Sequence, residues 1–220
     1  MPISNASLLD LNCTAAELAD GWADQDTGEA VSTSETDAPG ADPMATVWSF
    51  DTNTSADTND FAKRTKDIGS IEGLGNRVVV SLSLYCDAVG ALANVDRFDL
   101  VVYRSDWAFL AYFAADGLFI YDGAAANEVG TNIVAQDTWQ EWTFDITFPG
   151  GVVANAVCDV YLDGVSQATG VDCSFELTGT DGNVTTQLRG YATDDQIAYL
   201  DWLKIGDGFV SEFIPKIMIF

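Results

Sequence analysis

Residues 142–148, "WTFDITF", alternate without a break: Trp142, Phe144, Ile146 and Phe148 fall on one side, Thr143, Asp145 and Thr147 on the other. A helix would scatter four such large apolar groups around its circumference, whereas a strand lines them up on one face. The segment therefore reads as a strand with one side in a core, and Pro149-Gly150-Gly151 ends it. The same period recurs in "VVVSLSLY", where Val80, Leu82 and Leu84 alternate with Ser81 and Ser83. "RFDLVVYRS" (97–105), "WAFLAYF" (107–113), "GLFIY" (117–121) and "AYLDWLKI" (198–205) add further strands. Asp116-Gly117, Asp122-Gly123 and Asp163-Gly164 mark hairpin turns, because both central residues of a type I′ turn need positive φ.

So many strands at short, turn-punctuated spacing predict an all-β fold, a two-sheet antiparallel jelly-roll sandwich. A chain of 220 residues, 48% hydrophobic, can fill one such sandwich. One helical signal breaks the pattern. In "NCTAAELADGW", Asn12 or Thr14 can cap a short helix, with Glu17 in its first turn and Gly21 as its stop. Three regions follow: an N-terminal arm over 1–19, a jelly-roll domain over 20–209 and an apolar C-terminal tail over 210–220.

Charge and composition narrow the chemistry. Nine Lys and Arg face 34 Asp and Glu, a net charge of -25, so nucleic acid and anionic lipid are excluded as expected partners. No run approaches the roughly 18 apolar residues of a membrane span, so no membrane insertion is expected. "MPISNASLLDLNC" has no basic, apolar leader, which points to synthesis in a cytosol without a signal peptide. The chain has no histidine, which removes Ser–His–Asp and Cys–His nucleophile sites and the common zinc sets. Cys13, Cys86, Cys158 and Cys173 form no CxxC pair and read as buried free thiols; a Cys158–Cys173 bridge stays open at this level.

Three segments carry a family resemblance: the tryptophan strand Trp139–Phe148, the hairpin "CDVYLDG" (158–164) and the last strand "YLDWLKI" (199–205). Together they resemble the concanavalin A-like lectin/glucanase superfamily, close to laminin-G-like domains, best over 76–209 and back to Gly21. The resemblance implies the jelly roll. It leaves function open among lectins, glycosidases, lyases, adhesion modules and virion proteins. Retaining glucanases of the superfamily carry E-x-D-x-x-E on one strand face. Here Glu141 and Asp145 share a face and the third carboxylate is missing, so no catalysis is expected.

Two binding chemistries remain. Glycan sites use aromatic rings beside polar groups, and the candidates are Trp107, Tyr112, Tyr121, Trp139 and Trp202. No cofactor is required; calcium is the metal the loops can take, with Asp51, Asn53, Asp57 and Asp60 as oxygen ligands. After the last strand, Phe209, Phe213, Ile214, Ile217, Met218, Ile219 and Phe220 form an apolar tail suited to docking on another copy or on a capsid or surface protein. The expectation is a non-enzymatic structural protein at a virion or other particle surface (capsid decoration, spike or fibre type), with glycan adhesion as an added ability. Its alternatives are a carbohydrate-binding, lectin-like module and a glycoside-active enzyme with a degenerate site.

Overall fold

The strict alternation at 142–148 becomes the centre of the molecule. The computed structural model describes residues 4–6, 8–27, 30–35, 39–40, 46–52, 60–68, 75–91, 97–104, 106–176, 183–190 and 197–209. Among these, fifteen strands form two antiparallel sheets, and no helix is long and apolar enough to cross a membrane.

The first sheet contains β1 (Leu9–Leu11), β3 (Val31–Glu35), β4 (Val47–Asp51), β6 (Arg77–Ala88), β11 (Trp139–Thr147), β12 (Val157–Leu162), β13 (Val165–Asp172) and β15 (Ile197–Gly206). Its order is β13-β12-β11-β6-β15-β4-β3, and β1 pairs with the far end of β15. The second sheet contains β2 (Trp22–Asp24), β5 (Asp60–Asp67), β7 (Arg97–Arg104), β8 (Trp107–Ala114), β9 (Gly117–Tyr121), β10 (Ala126–Thr131) and β14 (Asn183–Gly190), in the order β10-β9-β8-β7-β14-β5-β2. The all-β jelly-roll expectation holds.

Register locks the two patterns together. Trp142, Phe144 and Ile146 of β11 lie opposite Leu82, Val80 and Val78 of β6, so both strands turn the same face inward. All six of these side chains are buried. Rings from the two sheets meet edge to face or tilted: Phe144 with Phe109 at 5.1 Å, Trp142 with Phe113 at 5.6 Å, Phe50 with Phe98 at 5.5 Å. Such aromatic pairs contribute about 0.5–1.5 kcal/mol beyond area burial.

The expected type I′ chemistry appears at one of the three places. Asp163 and Gly164 have φ of 49° and 79°, the type I′ requirement met. Asp122 makes a local turn by accepting from the backbone N–H of Ala124 and Ala125, both at 2.7 Å. The β8–β9 hairpin differs: Ala114 pairs with Gly117, so Ala115 and Asp116 are the loop and Gly117 opens β9. Gly117 is needed there for closeness, since a Cβ would sit 2.5 Å from the carbonyl oxygen of Gly130 on β10.

The expected helix is α1 (Ala15–Ala19). Thr14 caps it, and Glu17 closes a reciprocal capping box. The described residues of the N-terminal arm (1–19) otherwise pack with the sandwich. β1 extends the sheet, and Leu9, Leu11 and Cys13 are buried in the core. The apolar alternation Leu9, Leu11, Cys13 explains this packing, with one face turned inward.

Candidate functional site

Alternation that sends one face of β6, β11 and β15 into the core turns the other away from it, where Val79, Ser81, Ser83 and Tyr85 of β6 are also buried and Trp139 and Tyr199 are half-buried. Three aromatic side chains line up there. Trp139 of β11 lies opposite Tyr85 of β6, and Tyr85 opposite Tyr199 of β15. The ring centroids are 5.4 Å apart for Tyr85–Trp139 and 5.9 Å for Tyr85–Tyr199. One step along the strands, Trp202, Ser83 and Glu141 form the next row. A further step brings Lys204, Ser81 and Thr143, with Tyr161 of β12 opposite Thr143.

Trp202 reaches this face through a bulge. Ala198 and Leu200 point inward, and strict alternation would send Trp202 after them. The register shifts between Leu200 and Trp202, leaving Asp201 buried at the extra position. Trp202 then stands outward opposite Ser83, with the Lys204 ammonium 5.5 Å from its ring centroid, while Leu203 and Ile205 return to the core.

A cleft of about 250 Å³ opens beside the aromatic row, lined by Gly40, Tyr85, Asp137, Thr138 and Trp139. The Trp139 indole N–H donates to the Pro39 carbonyl at 2.9 Å, which fixes one wall. Asp137 takes a left-handed backbone, φ 57°, and its N–H donates to the Cys86 carbonyl at 2.9 Å. Burial holds the Tyr85 hydroxyl pKa above its ordinary value, and the charges of Asp137 and Asp87 add to the rise. The Asp87 carboxyl is also raised, first by burial and then by its hydrogen bond to Asp137 and that group's charge.

The two carboxylates singled out in the sequence have different fates. Asp145 is clamped by Arg77, whose Nε and Nη2 donate at 2.7 and 2.8 Å. Glu141 has its carboxyl raised by burial and by Asp163, whose side chain accepts from the Glu141 backbone N–H at 3.0 Å. The far end of the same face is closed by the chain itself. Ser4 donates its N–H to Ser81 Oγ at 2.9 Å, Ser81 Oγ lies 2.9 Å from Thr143 Oγ1, and Ser4 bridges to Phe209.

The five expected glycan residues do not form one site. Trp107 is a core residue: it is fully buried, its N–H donates to the Cys173 carbonyl at 2.7 Å, and it packs on Phe148 at 5.0 Å. The phase of β8 sends Trp107, Phe109, Ala111 and Phe113 inward together, and an apolar stretch on both faces hid that phase. Tyr112 and Tyr121 lie on the outer face of the other sheet, 6.2 Å apart, and the Arg97 guanidinium already covers Tyr112 at 4.0 Å. Sheets pack about 10 Å apart, so that face cannot share a ligand with Trp139 and Trp202. Only these last two belong to the cleft-bearing face. Sequence reasoning missed Tyr85, Tyr199 and Asp137. Tyr85 was legible as the next outward position after Ser81 and Ser83.

Among the calcium candidates, Asp51 ends β4 and Asp60 opens β5, while Asn53 and Asp57 lie outside the described residues. Of the tail, Phe213, Ile214, Ile217, Met218, Ile219 and Phe220 lie outside them too. Phe209 is not a free docking residue. It sits on its own sandwich, under the Arg77 guanidinium at 4.5 Å and near Tyr161 at 6.5 Å, because the Arg77–Asp145 pair offers its ring a cation. All four cysteines are buried free thiols.

No family model matches the chain, and no curated protein matches it. Solved structures do. The chain is similar to an endo-β-1,4-glucuronan lyase from the fungus Trichoderma reesei, with TM-score 0.56 and 9% identity over 85% of this chain and 91% of that one. It is similar to a carbohydrate esterase of the Shiga toxin-encoding bacteriophage phi24B, with TM-score 0.58 and 13% identity over 90% and 96%. A third likeness is to the binding domain of botulinum neurotoxin DC in complex with SialylT, with TM-score 0.52 and 10% identity over 94% and 49%. The fold is thus a concanavalin A-like jelly roll.

Proposed function

We propose that this protein binds carbohydrate, without catalysis, on the outer face of its eight-stranded sheet. One observation carries the reading: Trp139, Tyr85 and Tyr199 stand side by side on three adjacent strands, at the edge of a cleft with polar groups. Rings in this setting stack on the apolar faces of sugars, while Thr138, Asp137 and Glu141 can bond their hydroxyls. The fold's neighbours support it, since two are named as an endo-β-1,4-glucuronan lyase and a carbohydrate esterase and a third is in complex with SialylT.

The absence of catalysis is part of the proposal. Glu141 and Asp145 lack the third carboxylate of the E-x-D-x-x-E run that retaining glucanases of this fold carry on one strand face. Asp145 is also engaged by Arg77. A virion or other particle surface, the setting expected from the sequence, is where such a module would serve attachment to a glycan-coated surface.

The test is Trp139→Ala, with glycan binding followed by array and calorimetry and folding by circular dichroism. Binding should fall by tenfold or more, as expected for about 1.4 kcal/mol of lost stacking, with an unchanged spectrum. Equal binding by the variant would refute the site. Turnover of a polysaccharide that vanishes in Glu141→Gln would refute the non-catalytic part.

A further inference from the structure

The rings at the cleft do not pave a flat floor. Tyr85 meets Trp139 at an interplanar angle of 54° and Tyr199 at 75°. Two of these rings, Tyr85 and Trp139, line the cleft. Aromatic rings and a carboxylate lining one space attract a compact organic cation: ring quadrupoles and negative charge act together. Here the carboxylate is Asp137, which lines the cleft with Tyr85 and Trp139. Its position is fixed by the backbone bond to Cys86 and by its left-handed φ. Asp87 lies against it, and no lysine or arginine lines the cleft among the described residues.

The Tyr85 hydroxyl is made harder to ionise first by burial and then by the charges of Asp137 and Asp87. An anionic sugar entering the cleft would meet Asp137 with no basic residue among the described lining residues to offset it, whereas an ammonium would gain from the carboxylate.

We infer that the cleft takes a glycan bearing an ammonium group, an unacetylated amino sugar held between Asp137 and the Tyr85–Trp139 rings, and disfavours uronates and sialic acids. The inference rests on the carbohydrate-binding reading of the same face.

The experiment is calorimetric titration of the full chain with four probes below the amine's pKa: a β-1,4-glucosamine tetramer, its fully N-acetylated counterpart, a glucuronate tetramer and tetramethylammonium chloride. The glucosamine tetramer should bind about tenfold more tightly than the acetylated one. The advantage should shrink at high salt, because exposed charges are screened. Asp137→Asn should reduce the ratio to threefold or less. Asparagine suits this variant because it tolerates the left-handed backbone and keeps an acceptor oxygen. If the acetylated or glucuronate tetramer binds as tightly as the glucosamine tetramer, the ammonium inference is overturned while the carbohydrate reading stands. If tetramethylammonium binds and no sugar does, the carbohydrate reading is overturned and the cation site stands. If nothing binds, or if the preference survives Asp137→Asn unchanged, the inference is overturned.

Discussion

Phe144→Ala tests the core on which every placement above depends. Phe144 is fully buried on β11, between Val80 of β6 and Val160 of β12 by register, with Phe109 at 5.1 Å and Phe113 at 6.1 Å across the sandwich. Truncation of a buried Phe costs about 3–5 kcal/mol, the upper part applying where neighbours cannot collapse into the hole. Here they cannot collapse easily, because β6 and β12 hold the strand on both sides through continuous ladders. We expect about 4–5 kcal/mol on that scale. For a chain of this length each kcal/mol lowers Tm by about 2–4 °C, so the melt should fall by roughly 8–20 °C. Urea unfolding followed by tryptophan fluorescence and far-UV circular dichroism gives the free energy, and coincidence of the two probes checks two-state behaviour. Thr147→Ala, an outward position on the same strand, should cost about 1 kcal/mol or less. A loss under about 1 kcal/mol for Phe144→Ala, the level of an ordinary surface change, would mean that the inward and outward faces of β11 are exchanged.

Three further outcomes follow from named contacts. Gly117→Ala should destabilise the β8–β9–β10 meander by more than an ordinary surface change, measured by the same urea curves, because the added Cβ meets the Gly130 carbonyl oxygen at 2.5 Å; unchanged stability would refute the close approach. All four thiols should resist a disulfide reagent in the native state and react only on unfolding, since burial pushes Cys86 up to about 12 and raises Cys13, Cys158 and Cys173 as well. Their folded values lie above the ordinary 9.0, so this contribution is complete below pH 9 and is lost as pH rises toward 12, giving alkaline unfolding. Two reactive thiols after unfolding, instead of four, would show a bridge. Glu141→Gln should flatten the stability–pH curve just above the ordinary carboxylate value of 4.5, because the raised Glu141 carboxyl favours the fold at low pH and loses that contribution as pH rises through its folded value; identical curves for wild type and variant would refute its burial.

Much of the fold was legible because it depends on side-chain parity. Where one face is apolar and the other polar, as at 142–148 and 80–84, the sequence states which residues go inward, and the structure places them there. Parity says less where both faces are apolar. In β8 the outward positions are Ala108, Leu110, Tyr112 and Ala114, so nothing distinguishes them from Trp107 and Phe109, and a core tryptophan was taken for a binding one. It also says less where a residue is inserted. In "AYLDWLKI" the apolar positions 198, 200, 203 and 205 skip a beat, and the Asp201 bulge is that missing step. Read as a phase change, it would have sent Trp202 outward from sequence alone.

The site was harder to read than the face because it is assembled across the sheet. Trp139, Tyr85 and Tyr199 come from strands far apart in the chain, and their neighbourhood depends on the order β11-β6-β15, which no local pattern encodes. The polar half of the site depends on loops. Asp137 reaches the cleft through a left-handed turn, and the Pro39 carbonyl comes from a connection a hundred residues away to receive the Trp139 N–H. Sequence pattern therefore supplies the outward set, and topology selects from it. Ser81, Ser83 and Thr143 share that outward face with the rings, yet Ser4 closes over Ser81 and leaves the Tyr85–Trp139 end open. The chain's own N-terminal segment thus takes up the Ser81 end of the face, and the cleft lies at the Tyr85–Trp139 end.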